Sequence, residues 1–206
     1  MNAIKINKLR IHLLGKLTFR LNEEPIRWFP TDRVRALLLI LAMSPTLTEQ
    51  RSTLANLLWS EVNDKSARRN LRRCLLRLRK VVGDDVVVAT RQTIGLVSAE
   101  SDYNTFQALT QSNNHNDWQT AVDLIQSEMV EGFVLKNAPL FDDWITAQRL
   151  AATQQQRDLL IKLLALETED GLARLRYAQK WVAIAPYDDA AHRAIMSAHA
   201  TQGNTA

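Results

Sequence analysis

The stretch KSARRNLRRCLLRLRKVV, which runs from Lys65 to Val82, decides the fold predicted for the N-terminal half of the chain. Its apolar residues recur at i, i+4, i+7 and i+11, which is the spacing of one face of an α-helix. These residues are Leu71, Leu75, Leu78 and Val82, with Ala67, Cys74 and Val81 beside them. The stretch therefore predicts a long helix that buries one face.

The opposite face of this predicted helix is strongly basic, because the stretch carries eight Lys and Arg residues and no acidic residue. Its outward positions are Lys65, Arg69, Arg72, Arg73, Leu76 and Lys80, with Arg68, Arg77 and Arg79 on the shoulders. Like charges four residues apart destabilise a helix by about 0.2–0.5 kcal/mol per pair, and a bound polyanion relieves that repulsion. A solvated helix face is the alternative, but such faces usually mix both signs. The pattern favours a nucleic-acid partner.

The two halves of the chain carry opposite net charges. Residues 1–100 hold 18 Lys and Arg against 9 Asp and Glu, a net charge of +9. Residues 101–206 hold 8 against 13, a net charge of −5. A basic half joined to an acidic half predicts two domains with different partners, and we place them at 1–99 and 100–206.

The composition excludes several classes of protein. The single Cys rules out an internal disulfide and a metal site with several Cys ligands. The longest apolar run, from Ala36 to Met43, is too short to span a bilayer. Residues 1–14 mix Lys and Arg with apolar residues, unlike a signal peptide. We expect a cytoplasmic protein without a membrane partner.

The residues around the basic stretch predict the elements that brace it. Short strands are expected at 9–14, 17–21 and 26–29, and helices at 32–43 and 49–58. The expected helix caps are Thr31 or Asp32, Thr48, and Asn63-Asp64, with Gly83 ending the basic helix. Segments 85–89 and 93–97 predict a hairpin around Thr90-Arg91-Gln92. Two helices leading into a basic third helix and then a hairpin predict a winged helix-turn-helix.

The remainder of the chain, from Asp102 onward, is predicted to be all-helical. Helices are expected to start at Asp102, to span 118–129, to run from Asp142 or Asp143 to Leu166, and to form a pair at 172–184 and 188–201. Helix pairs of this size are the unit of tetratricopeptide-like repeats. The five Trp residues occupy apolar-face positions and are predicted to be core anchors: Trp28, Trp59, Trp118, Trp144 and Trp181.

Several segments, in this order, resemble the SARP type of transcriptional activator. In the N-terminal half they are LRIHLLGKLTFRLNEEPIRW, RVRALLLILAM, LANLLW and ARRNLRRCLLRLRKVVG. In the C-terminal half they are DWQTAVDLI, EGFV, FDDWITAQRL and DGLARLRYAQKWVAIAPYDDAAHRAIMSAHATQG. The hairpin departs from the pattern, because many members carry a Gly-Tyr pair where this chain has Gln92-Thr93-Ile94-Gly95-Leu96.

The resemblance implies an OmpR-like winged helix followed by a helical bacterial transcriptional activation domain. It also implies binding to tandem direct repeats in promoter DNA, recruitment of RNA polymerase, and dimerisation or another protein contact through the helical half. A helix partner expected after Gln202-Gly203 is missing, so we expect the N-terminal part of a longer regulator.

The basic helix supplies the candidate site for double-stranded DNA. Base-edge contacts are assigned to Arg69, Arg72 and Arg73, because a guanidinium bonds guanine O6 and N7 in bidentate fashion. Phosphate contacts are assigned to Lys65, Arg68, Lys80 and Arg91. Arg77 or Arg79 is the candidate to pair with an acid inside the domain, and Arg33 and Arg35 are further candidates for the DNA backbone.

Other functions remain as alternatives. One is a protein-interaction adaptor that uses the helical repeats without DNA binding, and a weaker one is an RNA binder. An enzyme is not expected, because no catalytic constellation and no nucleotide-binding glycine motif is present. No cofactor is expected, since His192 and His199 lack a Cys partner for a metal ion.

Overall fold

A computed structural model describes residues 7–167 and 170–201 as a mainly helical chain with two small β-sheets. This agrees with the predicted class. The chain forms two compact units, each assembled from separate segments. The first unit contains the described residues up to Leu13, together with Leu17–Asn104 and Gly132–Ala147. The second contains Leu14–Lys16, Thr105–Glu131 and the described residues from Gln148 onward.

A four-stranded sheet lies in the first unit. Its strands are β1 (Leu9–His12), β2 (Thr18–Leu21), β3 (Glu24–Pro25) and β7 (Ala99–Ser101), in the order β3-β2-β1-β7. β1 pairs antiparallel with β2, with Leu9 opposite Leu21, and parallel with β7, with Leu9 opposite Ala99. Leu9, Ile11 and Phe19 are buried, so one face of the sheet packs on the core.

Three helices follow the first hairpin: α1 (Asp32–Met43), α2 (Arg51–Leu58) and α3 (Asp64–Val82). α1 is buried at every position from Ala36 to Met43, as expected for a helix that is apolar on all sides. The predicted bounds of α1 and α3 are confirmed within one residue. α2 begins at Arg51 after a Gln50 cap, so the prediction that Thr48 caps this helix was wrong.

A second, three-stranded sheet contains β4 (Thr48–Gln50), β5 (Val87–Ala89) and β6 (Thr93–Leu96) in the order β4-β6-β5. β5 and β6 form the predicted hairpin, whereas β4 lies where the sequence predicted the start of a helix. Gly95 allows β4 to approach, because a Cβ at this position would lie 2.4 Å from Thr48 Oγ1.

The segment Gly132–Ala147 belongs to the first unit although it follows the last strand by 30 residues. Phe133, Leu135 and Ala138 are buried, and the fully buried Phe141 contacts Phe133 edge-to-face with ring centroids 6.1 Å apart. The Arg35 guanidinium lies 5.0 Å from the Phe133 ring centroid. The cation–π contact from Arg35 joins the segment to α1, and the Phe133–Phe141 contact holds the segment together.

The second unit is helical. Its elements are α4 (Asp102–Thr110), which begins in the first unit, α5 (His115–Leu124), most of α6 (Pro139–Leu166), α7 (Gly171–Ile184) and α8 (Asp189–Thr201). Phe106, Leu160 and Tyr177 are fully buried. The side chain of Asp188 accepts hydrogen bonds from Ala190 N and Trp181 Nε1, which joins α7 to α8.

Several predicted elements differ from the observed ones. The third strand is at Glu24–Pro25 instead of 26–29, and Trp28 is 70% exposed, so the prediction that it anchors the core was wrong. Its side chain lies on a surface cleft with Ile26 and Phe29, because the strand that would have turned it inward does not form. α5 ends at Leu124 instead of 129, and α6 begins at Pro139, before Asp142.

Candidate nucleic-acid interface

α3 is held in place by its buried stripe and by caps at both ends. Leu71, Leu78 and Val82 are at most 1% exposed. The Asn63 side-chain oxygen accepts a hydrogen bond from Ser66 N at 3.0 Å, as the sequence predicted for this cap. Gly83 ends the helix with φ of +97°, a conformation that disfavours side chains. These contacts leave the opposite face of α3 outside the core.

All seven side chains predicted to contact DNA are exposed. They are Lys65, Arg68, Arg69, Arg72, Arg73, Lys80 and Arg91. None of them forms an ion pair within residues 7–167 and 170–201. Arg69 Nη2 lies 3.3 Å from Ser66 Oγ, one turn earlier on the same helix. We call the outward row Lys65, Arg69, Arg72, Arg73, Leu76 and Lys80 the outer face of α3.

Two other residues of α3 behave as predicted. Arg79 Nε lies 3.6 Å from Asp84 Oδ1, a long ion pair beyond hydrogen-bond distance, so Arg79 is the shoulder residue that pairs inside its own unit. Cys74 is buried, and burial raises the pKa of its thiol to about 12. A thiol with this pKa is protonated at neutral pH and is not a reactive nucleophile.

One flank of α3 borders an open groove of about 700 Å³ that we call the hairpin groove. Its charged and amide-bearing lining residues are Gln50, Arg51, Asp64, Lys65, Arg68, Arg72, Arg91 and Gln92. The structure thus brings Arg91, from the β5–β6 turn, to the same groove as three cations of α3. Two hydrogen bonds fix the conformation of this turn: Arg51 N donates to Gln92 O at 2.8 Å, and Thr93 N donates to Thr90 Oγ1 at 2.9 Å.

The other flank of α3 borders a cavity of about 370 Å³ that we call the α1 cavity. Its lining residues are Thr31, Asp32, Arg33, Trp59, Asn70, Arg73, Cys74, Arg77, Leu135 and Lys136. Lys136 was not among the predicted site residues. It lies between the predicted helices at 118–129 and from Asp142 or Asp143 onward, and no local pattern indicates that the segment between them returns to α3.

Arg33 and Arg35, the further candidates for the DNA backbone, are engaged inside the first unit. Arg33 Nε donates to Leu58 O at 3.1 Å and its Nη2 donates to Asn137 O at 2.9 Å. Arg35 contacts Phe133, and its Nη1 lies 3.4 Å from Asp32 Oδ1. These contacts give both residues a structural role.

Leu76 is the apolar residue of the outer face, and its side chain is 61% exposed. It lies one helical turn from Arg72 and Arg73 and one turn from Lys80. The outer face therefore presents one apolar side chain between its cations.

Within the described ranges, no group of three or more His, Cys, Asp or Glu residues is placed to hold a metal ion. The helices of the same ranges include none with the length and apolar character needed to cross a membrane.

Comparison with known structures shows a likeness of fold. The chain is similar to Mycobacterium tuberculosis EmbR, which was solved in complex with a low-affinity phosphopeptide, with a TM-score of 0.63 and 18% sequence identity. The match covers 96% of this chain and 56% of that chain, so this chain spans little more than half the length of its neighbour. At this level of sequence identity the likeness shows a shared fold and nothing further. No protein-family model and no curated protein matches the chain.

Proposed function

We propose that this protein is a sequence-specific, double-stranded DNA-binding transcriptional regulator, and that it acts as an activator. The observation that carries the proposal is the outer face of α3, on which the cations are exposed and form no ion pairs within the described residues. Such a face has uncompensated repulsion until it meets a polyanion. The fold similarity to EmbR agrees with a regulator.

In this proposal the helices α1 to α3 form a helix-turn-helix, and the β5–β6 hairpin forms its wing. α3 is the recognition helix and lies in the major groove, which is wide enough to admit an α-helix. The position of Arg91 beside Lys65 and Arg68 supports this assignment, because a wing contacts the backbone that borders the groove occupied by the helix.

Base reading is assigned to Arg69, Arg72 and Arg73, and phosphate contact to Lys65, Arg68, Lys80 and Arg91. Phosphate contacts supply affinity and orientation, whereas base-edge contacts supply sequence preference. The exposure of all seven side chains is compatible with these roles.

The second unit is proposed to be a tetratricopeptide-like activation domain that mediates dimerisation on DNA or contact with RNA polymerase. The α7–α8 helix pair supports this proposal, since its bounds match the predicted ones within one residue and Trp181 Nε1 of α7 donates to Asp188, the residue before α8. The division of the chain into functional domains at residue 99 and the cytoplasmic location stay predictions.

Binding to duplex DNA is expected to fall steeply with salt. Four phosphate contacts give a slope of log K against log[salt] of about −3.5, or roughly a 100-fold loss of affinity between 50 and 200 mM salt. Fluorescence anisotropy with a random duplex measures this salt slope. Random-library selection of bound duplexes then identifies the preferred sequence. An adaptor protein would show no binding even at low salt, and an RNA binder would prefer single-stranded or duplex RNA as competitor.

Leu76 is expected to read a thymine methyl group. Apolar side chains in the major groove contact the C5-methyl of thymine, and such specific contacts are worth about 1 kcal/mol or more. In a selected duplex, replacing the contacted thymine by uracil should weaken binding about five-fold for the wild type. The same replacement should have no effect on Leu76→Ala, whose affinity for the thymine duplex is already reduced. Equal sensitivity of both proteins to uracil would contradict the assignment.

A further inference from the structure

The α1 cavity brings together cations from two distant parts of the chain. Arg77 comes from α3 and Lys136 comes from the segment between Glu131 and α6, while Arg73, which also lines the cavity, keeps its assignment to base edges. We propose that the α1 cavity is a second phosphate site, which holds a DNA backbone phosphate on the flank of α3 away from Arg91. This inference rests on the proposed function and extends its contact surface beyond residue 99.

The two sites lie on opposite flanks of the same helix. Arg68 lines the hairpin groove and Arg77 lines the α1 cavity. They are nine residues apart, which is about two and a half turns at 3.6 residues per turn, so their side chains leave the helix in opposite directions. A helix in the major groove is bordered by one backbone on each side. The predicted contacts near Arg91 serve one of these backbones, and the α1 cavity is placed to serve the other.

Lys136 is held at the cavity by its neighbours in sequence. The residues from Phe133 to Lys136 alternate between buried and exposed, with Phe133 and Leu135 at most 4% exposed. On the other side of Lys136, the carbonyl of Asn137 accepts a hydrogen bond from Arg33 Nη2 at 2.9 Å. These anchors fix the backbone of Lys136 while leaving its side chain in solvent. Little conformational entropy of the backbone is therefore lost when an anion binds.

The charge of the cavity suits an anion. Arg73, Arg77 and Lys136 are exposed, and none has an ion pair within the described part of the chain. The one carboxylate in the lining, Asp32, lies 3.4 Å from Arg35 Nη1 and is thereby partly neutralised. The Cys74 thiol adds no negative charge, because its raised pKa keeps it protonated at neutral pH.

The remaining lining groups supply further donors. Thr31 is the N-cap of α1, but its side chain makes no capping hydrogen bond, so its hydroxyl group is available to an anion. The Asn70 amide lies on the same flank of α3 as Arg77. Arg33 is already bonded to two backbone carbonyls and shapes the cavity. Phosphate oxygens accept hydrogen bonds from hydroxyl and amide groups such as those of Thr31 and Asn70.

The experiment compares salt slopes for a random duplex. Lys136→Gln and Arg77→Gln should each make the slope of log K against log[salt] shallower by about 0.9, with about a 5- to 10-fold loss of affinity at 0.1 M salt. Lys136→Arg keeps the charge and should keep the wild-type slope. Arg193→Gln removes an exposed charge from α8 in the second unit and is the matched control, with no change in slope expected.

The outcomes separate this inference from the proposed function. If the wild type binds no duplex, the proposed function itself fails. If the wild type binds and Lys136→Gln keeps its slope, or changes it no more than Arg193→Gln does, the second phosphate site is wrong. Calorimetric titration with inorganic phosphate at constant ionic strength tests the other source of the anion. Phosphate binding that Lys136→Gln removes without any change in duplex binding would overturn the assignment to DNA.

Phosphate ethylation of a selected duplex gives a second readout. Ethylated phosphates that interfere with wild-type binding should fall on both sides of the major groove. Lys136→Gln should lose interference on one side and Arg91→Gln on the other. Loss of the same phosphates in both variants would contradict the two-flank arrangement.

Discussion

Replacing Arg69 and Arg73 together by Ala is expected to weaken binding to a selected duplex by about 2–4 kcal/mol, which is roughly 30- to 1,000-fold. Both side chains project from the outer face of α3, and neither forms an ion pair in the described residues. Removing them should therefore leave the fold intact and remove the proposed bidentate contacts with guanine. Competition between the selected and the random duplex, measured by anisotropy at fixed salt, reports the loss of preference.

Lys80→Ala is the control for this pair, because Lys80 is exposed on the same helix and is assigned to phosphate. It should weaken selected and random duplexes about equally and make the salt slope shallower by about 0.9. Unchanged affinity of the Arg69→Ala, Arg73→Ala double variant for the selected duplex would show that the outer face of α3 is not the reading surface. Thermal unfolding should match that of the wild type, which keeps a folding defect apart from a binding defect.

Phe141→Ala is expected to destabilise the first unit by about 3–5 kcal/mol, since a fully buried Phe is removed and a cavity remains. Phe141 packs edge-to-face on Phe133 and lies 5.6 Å from the Trp144 ring centroid. Removing the Phe141 ring should also make the position of Lys136 less fixed, because Phe133 and Phe141 anchor the segment that carries Lys136. Urea unfolding followed by tryptophan fluorescence gives the free energy.

Two other variants serve as controls for Phe141→Ala. Phe141→Met roughly preserves volume and should cost less than about 1.5 kcal/mol. Val134→Ala alters a side chain of the same segment that is 68% exposed, and should change stability by no more than about 0.5 kcal/mol. If Phe141→Ala were as mild as Val134→Ala, Gly132–Ala147 would not be an integral part of the first unit.

The helices of the first unit could be predicted because local residues decide them. α1 and α3 have strong apolar patterns and end at Ser44 and Gly83, and the cap at Asn63 forms as expected. The exposure of the basic residues follows from the same period, since the buried stripe of α3 fixes where the opposite face points. The hairpin that carries Arg91 could be predicted because two short strand patterns flank the turn Thr90-Arg91-Gln92.

The strands β4 and β7 and the α1 cavity could not be predicted. β4 and β7 are three residues long, and they form because distant strands offer partners, with Gln50 opposite Thr93 and Leu9 opposite Ala99. Strand preference depends on such neighbours more than on the residue itself. Trp28 is exposed for the same reason, since its predicted strand finds no partner. Lys136 joins α3 through tertiary packing of Phe133 and Leu135, which no local period reveals.

The interleaved segments of the two units have a consequence for synthesis. The chain crosses between units after Leu13, Lys16, Asn104, Glu131 and Ala147. A nascent chain leaves the ribosome from its N-terminus. The first unit therefore cannot complete its core until Ala147 has emerged from the exit tunnel. Roughly sixty-five residues beyond the end of α3 are therefore translated before the first unit can fold completely.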